Sequence, residues 1–317
     1  MLTNHNSNLL RNEILLPAID TLNKGSRLSP YIRETQTGSQ VQAGLQNGST
    51  VDVYVQPNMV GETLTDITGS LTDTAYAFDK IQVTMDYAHG KKFTAAVTQV
   101  EGMSEAGIDA NASMLQSAVN SVLLAYDKQH ATNVQTASGL NVVSRGGAAI
   151  TYANTVEAIR TVFTAKGIDR DVKIVAMCVP SAFRAINALT EVRNTQNNTS
   201  QLQSAGKLFL PDVNIEFVEV SSMAEPGNAT TPDIYFTAEG HTVAPVRVPA
   251  VSDANKQRII TAGNFSMLLT VDSVASGISV TPTVTVGMYS GFQILKSESS
   301  LYSHANAFLA GHVILGS

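Results

Sequence analysis

The chain has 317 residues and a formal net charge of −6, and this acidic balance argues against a dedicated nucleic-acid-binding protein, which normally carries a basic stripe. Hydrophobic residues make up 44% of the sequence, and the length suits two linked domains with sizeable cores. Charged residues make up only 15%, against roughly 25% in an average soluble protein, which indicates that much of the surface is covered by partners.

The first 34 residues are predicted to form an N-terminal arm. A polar start is followed by a short apolar stripe between Ile14 and Leu22, which Pro17 interrupts and which ends near Gly25. Basic residues outnumber acidic ones in this segment, so the arm is locally basic within an acidic chain. These basic residues are Arg11, Lys24, Arg27 and Arg33.

Residues 47–92 are predicted to form a long β-hairpin with a polar tip. Valines between residues 51 and 55 alternate with polar residues, which is the period of a half-buried strand. The second strand is predicted over residues 75–88, roughly 45 Å long at ~3.3 Å per residue, and it is expected to end in a turn at His89 and Gly90. Because an isolated two-stranded ribbon is marginal in water, the hairpin is expected to lie on its own domain or on a neighbouring subunit.

A long helix is predicted next, over residues 104–133, and it would be roughly 40 Å long at ~1.5 Å per residue. Its apolar residues recur at spacings of three and four, which is the pattern of a helix with one buried face. These residues are Ile108, Ala112, Leu115, Val119, Val122 and Tyr126.

The sequence after this helix indicates a mixed α/β region. Asn154 and Glu157 resemble a capping box at the start of a helix that Gly167 closes. A continuous apolar strand is predicted over residues 172–179, and Pro180 is predicted to open the next helix. A polar loop should follow at residues 194–204. The strands expected after this loop lie at residues 213–220, 234–237, 243–248, 278–286 and 291–295.

The common catalytic motifs are absent from the sequence. There is no G-x-x-x-x-G-K-[ST] nucleotide loop, no G-x-S-x-G nucleophile elbow and no H-E-x-x-H zinc motif. The single cysteine, Cys178, excludes an internal disulfide, and its apolar surroundings predict a core residue. No catalytic residue, cofactor or metal site is therefore predicted, and the chain is not expected to be an enzyme.

The order of these elements resembles the Hong Kong 97 fold of the major capsid proteins of tailed bacteriophages. The segment FDKIQVTMDYAHGKKF, residues 78–93, looks like the returning strand of that family's extended loop. Residues 114–127, which end in LLAYD, are similar to its long spine helix. Among the subfamilies, the chain looks most like the coat proteins of short-tailed phages.

The resemblance implies an α+β fold with four parts. These parts are the N-terminal arm at residues 1–34, the extended loop at 47–92, the peripheral domain with the spine helix at 35–46, 93–140 and 276–317, and the axial domain at 141–275. The resemblance also implies a function. The chain would self-assemble through pentamers and hexamers into the icosahedral head of the virion, around the viral double-stranded DNA, after synthesis in the host bacterial cytoplasm.

Several partners follow from the resemblance. They are further copies of the chain, a separate scaffolding protein, a portal protein, a decoration protein and the packaged DNA, which would be contacted without sequence specificity. No stretch approaches the ~20 apolar residues that span a membrane, so no membrane partner is expected. The basic arm is predicted to meet acidic residues of a neighbouring loop. These acidic residues are Glu62, Asp66 and Asp73.

Some members of the family join their subunits through covalent bonds between lysine and asparagine. Lys80, Lys91 and Lys92 lie in or near the predicted loop, and asparagines are plentiful. No glutamate is identified that would catalyse such a bond, so noncovalent closure is predicted, with these lysines as inter-subunit contacts.

Two other classes of protein stay open on the sequence. One is another phage structural subunit, such as a tail-tube or decoration protein, and the other is a soluble α/β enzyme with an unrecognised site. Tail-tube proteins are dominated by β-structure and would not need the long helix around residues 114–126. An enzyme should elute as a small oligomer, whereas a capsid protein should assemble into rings or particles.

Overall fold

The computed structural model describes most of the chain after residue 79. The described residues are 28, 30–32, 50–55, 79–94, 110–168, 170–197, 203–204, 206–254, 256–262, 265–276, 279–297 and 307–316. They divide into two compact units. The first unit comprises the described residues of Met1–Val51, Val83–His130 and Ala244–Phe292, and the second unit comprises those of Asp52–Gln82, Ala131–Val243 and Gln293–Ser317.

Strands outnumber helices among the described residues. The α-helices are α1 (Ala110–Thr136), α2 (Ala158–Thr164), α3 (Pro180–Asn187) and α4 (Thr190–Asn197). The strands are β1 (Thr50–Val55), β2 (Asp79–Thr84), β3 (Tyr87–Thr94), β4 (Asn141–Ser144), β5 (Ile174–Cys178), β6 (Gln203–Ser204), β7 (Lys207–Leu210), β8 (Ile215–Glu219), β9 (Pro232–Ala238), β10 (Thr242–Val243), β11 (Val246–Arg247), β12 (Gln257–Ala262), β13 (Phe265–Ser276), β14 (Ser279–Ser290), β15 (Gln293–Ile294), β16 (Lys296–Ser297), β17 (Ala307–Phe308) and β18 (Ala310–Ile314).

A five-stranded sheet is the main β-structure of the first unit. Its strand β14 pairs antiparallel with β13 on one side and with β3 on the other. The short strand β11 pairs with the end of β14, and β12 pairs with β13. Alternate residues of β14 from Val284 to Met288 are buried, which is the period of a sheet with one face in the core. The sheet thus joins β12 and β13, from the predicted axial domain, to β14 and β3. The four-part domain division itself stays a prediction.

Helix α1 confirms the long helix, although it ends at Thr136 instead of residue 133. The predicted apolar stripe is buried at Leu115, Val119, Val122 and Tyr126. Complete burial of such a side chain contributes roughly 1.5–3 kcal/mol, so this stripe is what fixes the helix in the core. Among the described residues, no helix combines the length and the apolar character needed to cross a membrane.

The prediction of one long strand over residues 75–88 is wrong. β2 ends at Thr84 and β3 begins at Tyr87, and two residues separate them. β2 forms a two-stranded sheet with β1, whereas β3 joins the five-stranded sheet. A strand that changes its partner must interrupt its ladder of hydrogen bonds. Met85 lies at this interruption and is fully buried, so the break between β2 and β3 is packed into the core.

Gly291 lies close to the end of β2, which also indicates that the break after Thr84 is tightly packed. A Cβ atom at Gly291 would lie 2.5 Å from the carbonyl oxygen of Thr84 and 2.9 Å from Cγ1 of Val83. Only a residue without a side chain fits at this distance. The expected turn at His89 and Gly90 is also wrong, because both residues lie within β3.

The second unit is built on a seven-stranded mixed sheet in the order β4-β18-β9-β5-β8-β7-β6. All five residues of β5 are buried, and this strand runs parallel to β8 and antiparallel to β9. The apolar strand predicted over residues 172–179 is therefore confirmed. Helix α3 carries Pro180 in its first turn, as predicted, and contacts β5 and β8. The ring of Phe163 in α2 lies 5.9 Å from that of Phe236 in β9.

The capping box before α2 lies three residues earlier than predicted. The side chain of Thr151 accepts a hydrogen bond from the N–H of Asn154 at 3.2 Å, and the side-chain oxygen of Asn154 accepts one from the N–H of Thr151 at 2.9 Å. This box opens the π-helical segment Tyr152–Glu157, which leads directly into α2. Gly167 follows α2 with a φ of +72°, which glycine adopts without strain, so the predicted helix end is confirmed.

Other elements escape the sequence patterns. Residues 194–197, predicted as part of a polar loop, belong to α4. This helix is mostly polar, and the fully buried Val192 is its apolar anchor, so it has no stripe for periodicity to detect. The patterns also fail to predict β4, β12, β13 and β18.

Candidate functional site

Three of the predicted inter-subunit residues fall among the described residues. Lys80 lies in β2, and Lys91 and Lys92 are adjacent in β3. The other predicted contact residues lie outside the described residues. These are Arg11, Lys24, Arg27, Arg33, Glu62, Asp66 and Asp73.

Strand β3 is an edge strand and so forms one margin of the five-stranded sheet. β14 pairs along one side of β3, and no further strand of the described segments pairs along its second side. Lys91 and Lys92 are both exposed, and because successive residues of a strand point to opposite faces, their ammonium groups flank the strand. Nζ of Lys91 lies 5.6 Å from the ring centroid of Phe93, on the same face of β3.

The side chains of β3 determine which kind of segment could pair with this edge. Lysines on an edge strand oppose the addition of another strand unless that strand brings compensating acidic residues. On the face of Lys92, Ala88, Gly90 and Thr94 are also exposed, so no bulky side chain blocks an approaching segment. The margin therefore favours an extended acidic segment over an apolar one. Each exposed ion pair formed there would contribute ~0–1 kcal/mol.

The opposite margin of the same sheet is strand β12. Its residues Arg258, Ile259 and Thr261 are exposed, Ile259 at 46%. An ion pair between Lys256 and Asp272 lies beside it at 3.1 Å, with both side chains about half exposed. In the five-stranded sheet of the first unit, the edge strands β3 and β12 therefore both have accessible side chains.

A buried ion pair in the second unit was not foreseen from the sequence. Arg145, after β4, pairs with Asp233 in β9, and their side chains are only 7% and 5% exposed. Arg145 also donates a hydrogen bond to the carbonyl oxygen of Ala148 at 3.0 Å. Burial raises the pKa of Asp233, and the neighbouring Arg145 only partly opposes this rise. The partners are 88 residues apart, so no local spacing signals the pair.

The described segments contain neither a metal-binding cluster nor an accessible thiol. Within them, no group of three or more histidine, cysteine, aspartate or glutamate side chains could hold a metal ion. Cys178 is buried in β5, which confirms it as a core residue, and burial raises the pKa of its thiol. A thiol that is buried and protonated is a poor nucleophile.

The fold has counterparts among solved structures, although no protein-family model and no curated protein matches the chain. The chain is similar to the capsid of Ralstonia phage GP4, with a TM-score of 0.56 and 9% identity over 93% of this chain and 92% of that chain. A structure of Mycobacterium phage Che8 has a TM-score of 0.51 and 11% identity over 92% of each chain. A virus-like particle from Pyrococcus furiosus has a TM-score of 0.50 and 10% identity over 95% of this chain and 97% of that chain.

These likenesses define the fold of the chain. Its mixture of helices and sheets matches the capsid structures over nearly the whole length of both chains. The chain therefore has an α+β fold of the Hong Kong 97 type, as the resemblance implied. Because one fold can host several functions, the fold alone does not assign a role to the chain.

Proposed function

We propose that the chain is the major capsid protein of a tailed bacteriophage, which self-assembles through pentamers and hexamers into an icosahedral head around double-stranded DNA. The observation that carries this proposal is the match to the capsid of Ralstonia phage GP4 over 93% of this chain and 92% of that one. Because the match spans nearly all of both chains, it concerns the architecture of a whole subunit and not one shared module. The proposed role is structural and not catalytic.

The surfaces of the first unit support this proposal. A closed shell repeats one chain in symmetric rings, so each subunit needs several surfaces that other copies can contact. The edge strands β3 and β12 provide two such surfaces with accessible side chains. Contacts of ~0–1 kcal/mol each are weak alone, but many contacts per subunit act together in a shell. The low charged content of 15% also fits a surface that partners cover.

The proposal includes the other partners that the family resemblance implies. They are a separate scaffolding protein, a portal protein, a decoration protein and packaged DNA, with the chain residing in the virion. Closure of the shell is proposed to be noncovalent, with the basic arm of one subunit against the acidic loop of the next. A tail-tube subunit is the main rival, and the 27-residue helix α1 argues against it because tail tubes are dominated by β-structure.

Electron microscopy of the purified chain, alone and co-expressed with its scaffolding protein, tests the proposal. We expect closed shells, or rings of five or six subunits, in at least one of the two preparations. A homogeneous small oligomer in both preparations, at every concentration examined, would exclude the shell-forming role.

Deleting residues 58–72, the predicted tip of the extended loop, should abolish closed shells and leave a folded subunit. The deletion removes a segment proposed to lie on a neighbouring copy, and the described elements on either side, β1 and β2, stay in the chain. Circular dichroism would establish folding, and electron microscopy would count shells. Normal shells from this variant would show that the tip is not an assembly element.

Reversing the charge of Lys92 should weaken assembly without weakening the subunit. Lys92→Glu places an acid on the β3 margin, where we propose that acidic residues of a neighbour approach. Arg184→Glu is the matched control, because Arg184 is also exposed but lies on α3 of the second unit. Light scattering at several salt concentrations should show a higher threshold concentration for assembly in the Lys92 variant alone. Equal thresholds for the two variants would remove β3 from the proposed contacts.

A further inference from the structure

Two buried histidines of the first unit share one serine hydroxyl. His89 lies in β3, His130 in α1 and Ser290 at the end of β14. Nε2 of His89 lies 2.8 Å from Oγ of Ser290, and Nε2 of His130 lies 3.0 Å from the same oxygen. The exposed fraction is 7% for His89 and 0% for the other two residues. One hydroxyl therefore links two strands and a helix inside the core.

The single proton of this hydroxyl restricts the protonation of both rings. Oγ of Ser290 can donate to only one of the two Nε2 atoms, so the other histidine must donate its own Nε2–H to Oγ. The accepting ring must be neutral, as the Nδ1–H tautomer. The donating ring carries Nε2–H, and burial of both rings favours its neutral form over the charged one. A proton added to the accepting ring removes the acceptor that the serine proton has among the described residues. The hydroxyl must then turn away from a site that is closed to water.

Aromatic rings enclose the two imidazoles. The ring of Tyr126 lies edge-on to His130 at 4.2 Å between centroids, Phe292 stacks on His130 at 5.7 Å, and Tyr87 lies edge-on to it at 5.9 Å. The two imidazole centroids are 6.1 Å apart. Burial lowers the pKa of His89 to about 4, and burial together with the nearby His89 lowers the pKa of His130 to about 3.

The charged groups on the surrounding elements are few. Helix α1 has one carboxylate, the buried Asp127, and one ammonium group, the exposed Lys128. The exposed Asp86 precedes β3, and the exposed Lys91 follows His89 on the same face of that strand. Strand β14 contains no charged side chain, and β11, which pairs with the end of β14, carries the buried Arg247 opposite Tyr289. The lowered pKa of His89 follows from burial, and that of His130 from burial and from the nearby His89.

We propose that His89, Ser290 and His130 form an acid-sensitive latch, which holds α1 against the β3–β14 pair while both rings are neutral and releases it when they take up protons. The latch is a property of the first unit, so it does not depend on the proposed role in a shell. The latch is most stable with two neutral rings, because each added proton adds a buried charge, and a proton on the accepting ring also removes the acceptor of the serine proton.

The direction of the pH effect follows from the two states of the histidines. In the opened chain each histidine titrates near its ordinary pKa of 6.5, whereas in the closed unit both pKa values are lower. The opened state therefore binds more protons at acid pH. The latch is fully closed above the pKa of the opened chain and weakens as the pH falls from that value toward the lowered ones. Over this interval the equilibrium constant for opening should rise about tenfold per pH unit for each histidine.

Amide hydrogen exchange of the purified chain tests the latch. Exchange would be followed by mass spectrometry between about pH 7.5 and about pH 4.5, with correction for the intrinsic pH dependence of exchange. We expect peptides from β3 and from residues 114–130 of α1 to lose protection on acidification, by up to about a hundredfold per pH unit when both histidines contribute. His89→Gln and His130→Gln, which retain an amide at the hydrogen-bonding position, should each reduce this slope to about tenfold.

Two further variants complete the test. His241→Gln removes a histidine of the second unit, and it should leave the pH slope of the first-unit peptides unchanged. Ser290→Ala removes the shared hydroxyl without removing a titrating group, so it should raise opening already at neutral pH.

The proposal is overturned by equal protection of the β3 and α1 peptides at neutral and acid pH in the unmodified chain. It is also overturned by one common slope in the unmodified chain and both glutamine variants. If the glutamine variants do not fold, the unmodified chain and Ser290→Ala decide, and unchanged protection in Ser290→Ala at neutral pH counts against the latch.

Discussion

Replacing Arg145 with methionine should lower the free energy of unfolding of the second unit by about 3–5 kcal/mol, because the change leaves a buried carboxylate without its cation. The side chains of Arg145 and Asp233 are 7% and 5% exposed, so the remaining carboxylate would be poorly solvated. Burial already raises the pKa of Asp233, and loss of Arg145 should raise it further. Urea unfolding followed by circular dichroism would measure the change.

Two companion variants separate the loss of the pair from the loss of the arginine side chain. The double variant Arg145→Met with Asp233→Leu should recover most of the stability, since two apolar groups can replace a buried ion pair at little cost. Lys256→Met breaks an exposed pair whose side chains are 54% and 51% exposed, and it should cost under ~1 kcal/mol. Equal losses in the Arg145 and Lys256 variants would show that burial does not govern the strength of these pairs.

Gly311→Ala should destabilise the seven-stranded sheet by about 1–3 kcal/mol or more, because the added methyl group has no space. A Cβ atom at Gly311 would lie 2.6 Å from the backbone oxygen of Asn141, and it would also collide with the ring of Phe236. That ring is fully buried in β9, and Asn141 belongs to the paired strand β4. Neither group can move without disturbing the sheet. Thermal unfolding of the variant would reveal the loss.

Gly227→Ala is the control for this substitution. Gly227 belongs to the same unit, and no atom lies within 4 Å of the position that its Cβ would take. The change should alter the free energy of unfolding by less than about 0.5 kcal/mol. A similar loss of stability in the two variants would mean that the packing around Gly311 is not the cause.

The elements that the sequence predicts well are those with a strong local signal. Helix α1 follows from a long stripe of period 3.6, the start of α3 from Pro180, and the end of α2 from Gly167. Strand β5 follows from a continuous apolar run. In each of these cases the residues that define the element are close together in the sequence.

The features that the sequence misses depend on partners that are distant in the chain. Alternation predicts a strand across residues 75–88, but it cannot reveal that the ladder changes partner after Thr84. The Arg145–Asp233 pair joins residues 88 positions apart, and the link from His89 to Ser290 spans 201 positions. Of the predicted contact residues, Lys91 and Lys92 are placed on an exposed margin, and their role between subunits stays a prediction.

The pairing of early and late strands has a consequence for synthesis on the ribosome. In the first unit β3 pairs with β14, and in the second unit β4 pairs with β18, with side-chain hydrogen bonds that span 201 and 169 residues. Contacts of such long separation form slowly, and a growing chain cannot form them before the later strand has emerged. Neither unit can therefore complete its sheet early in translation. The nascent chain keeps two unfilled strand positions until β14 and then β18 leave the exit tunnel.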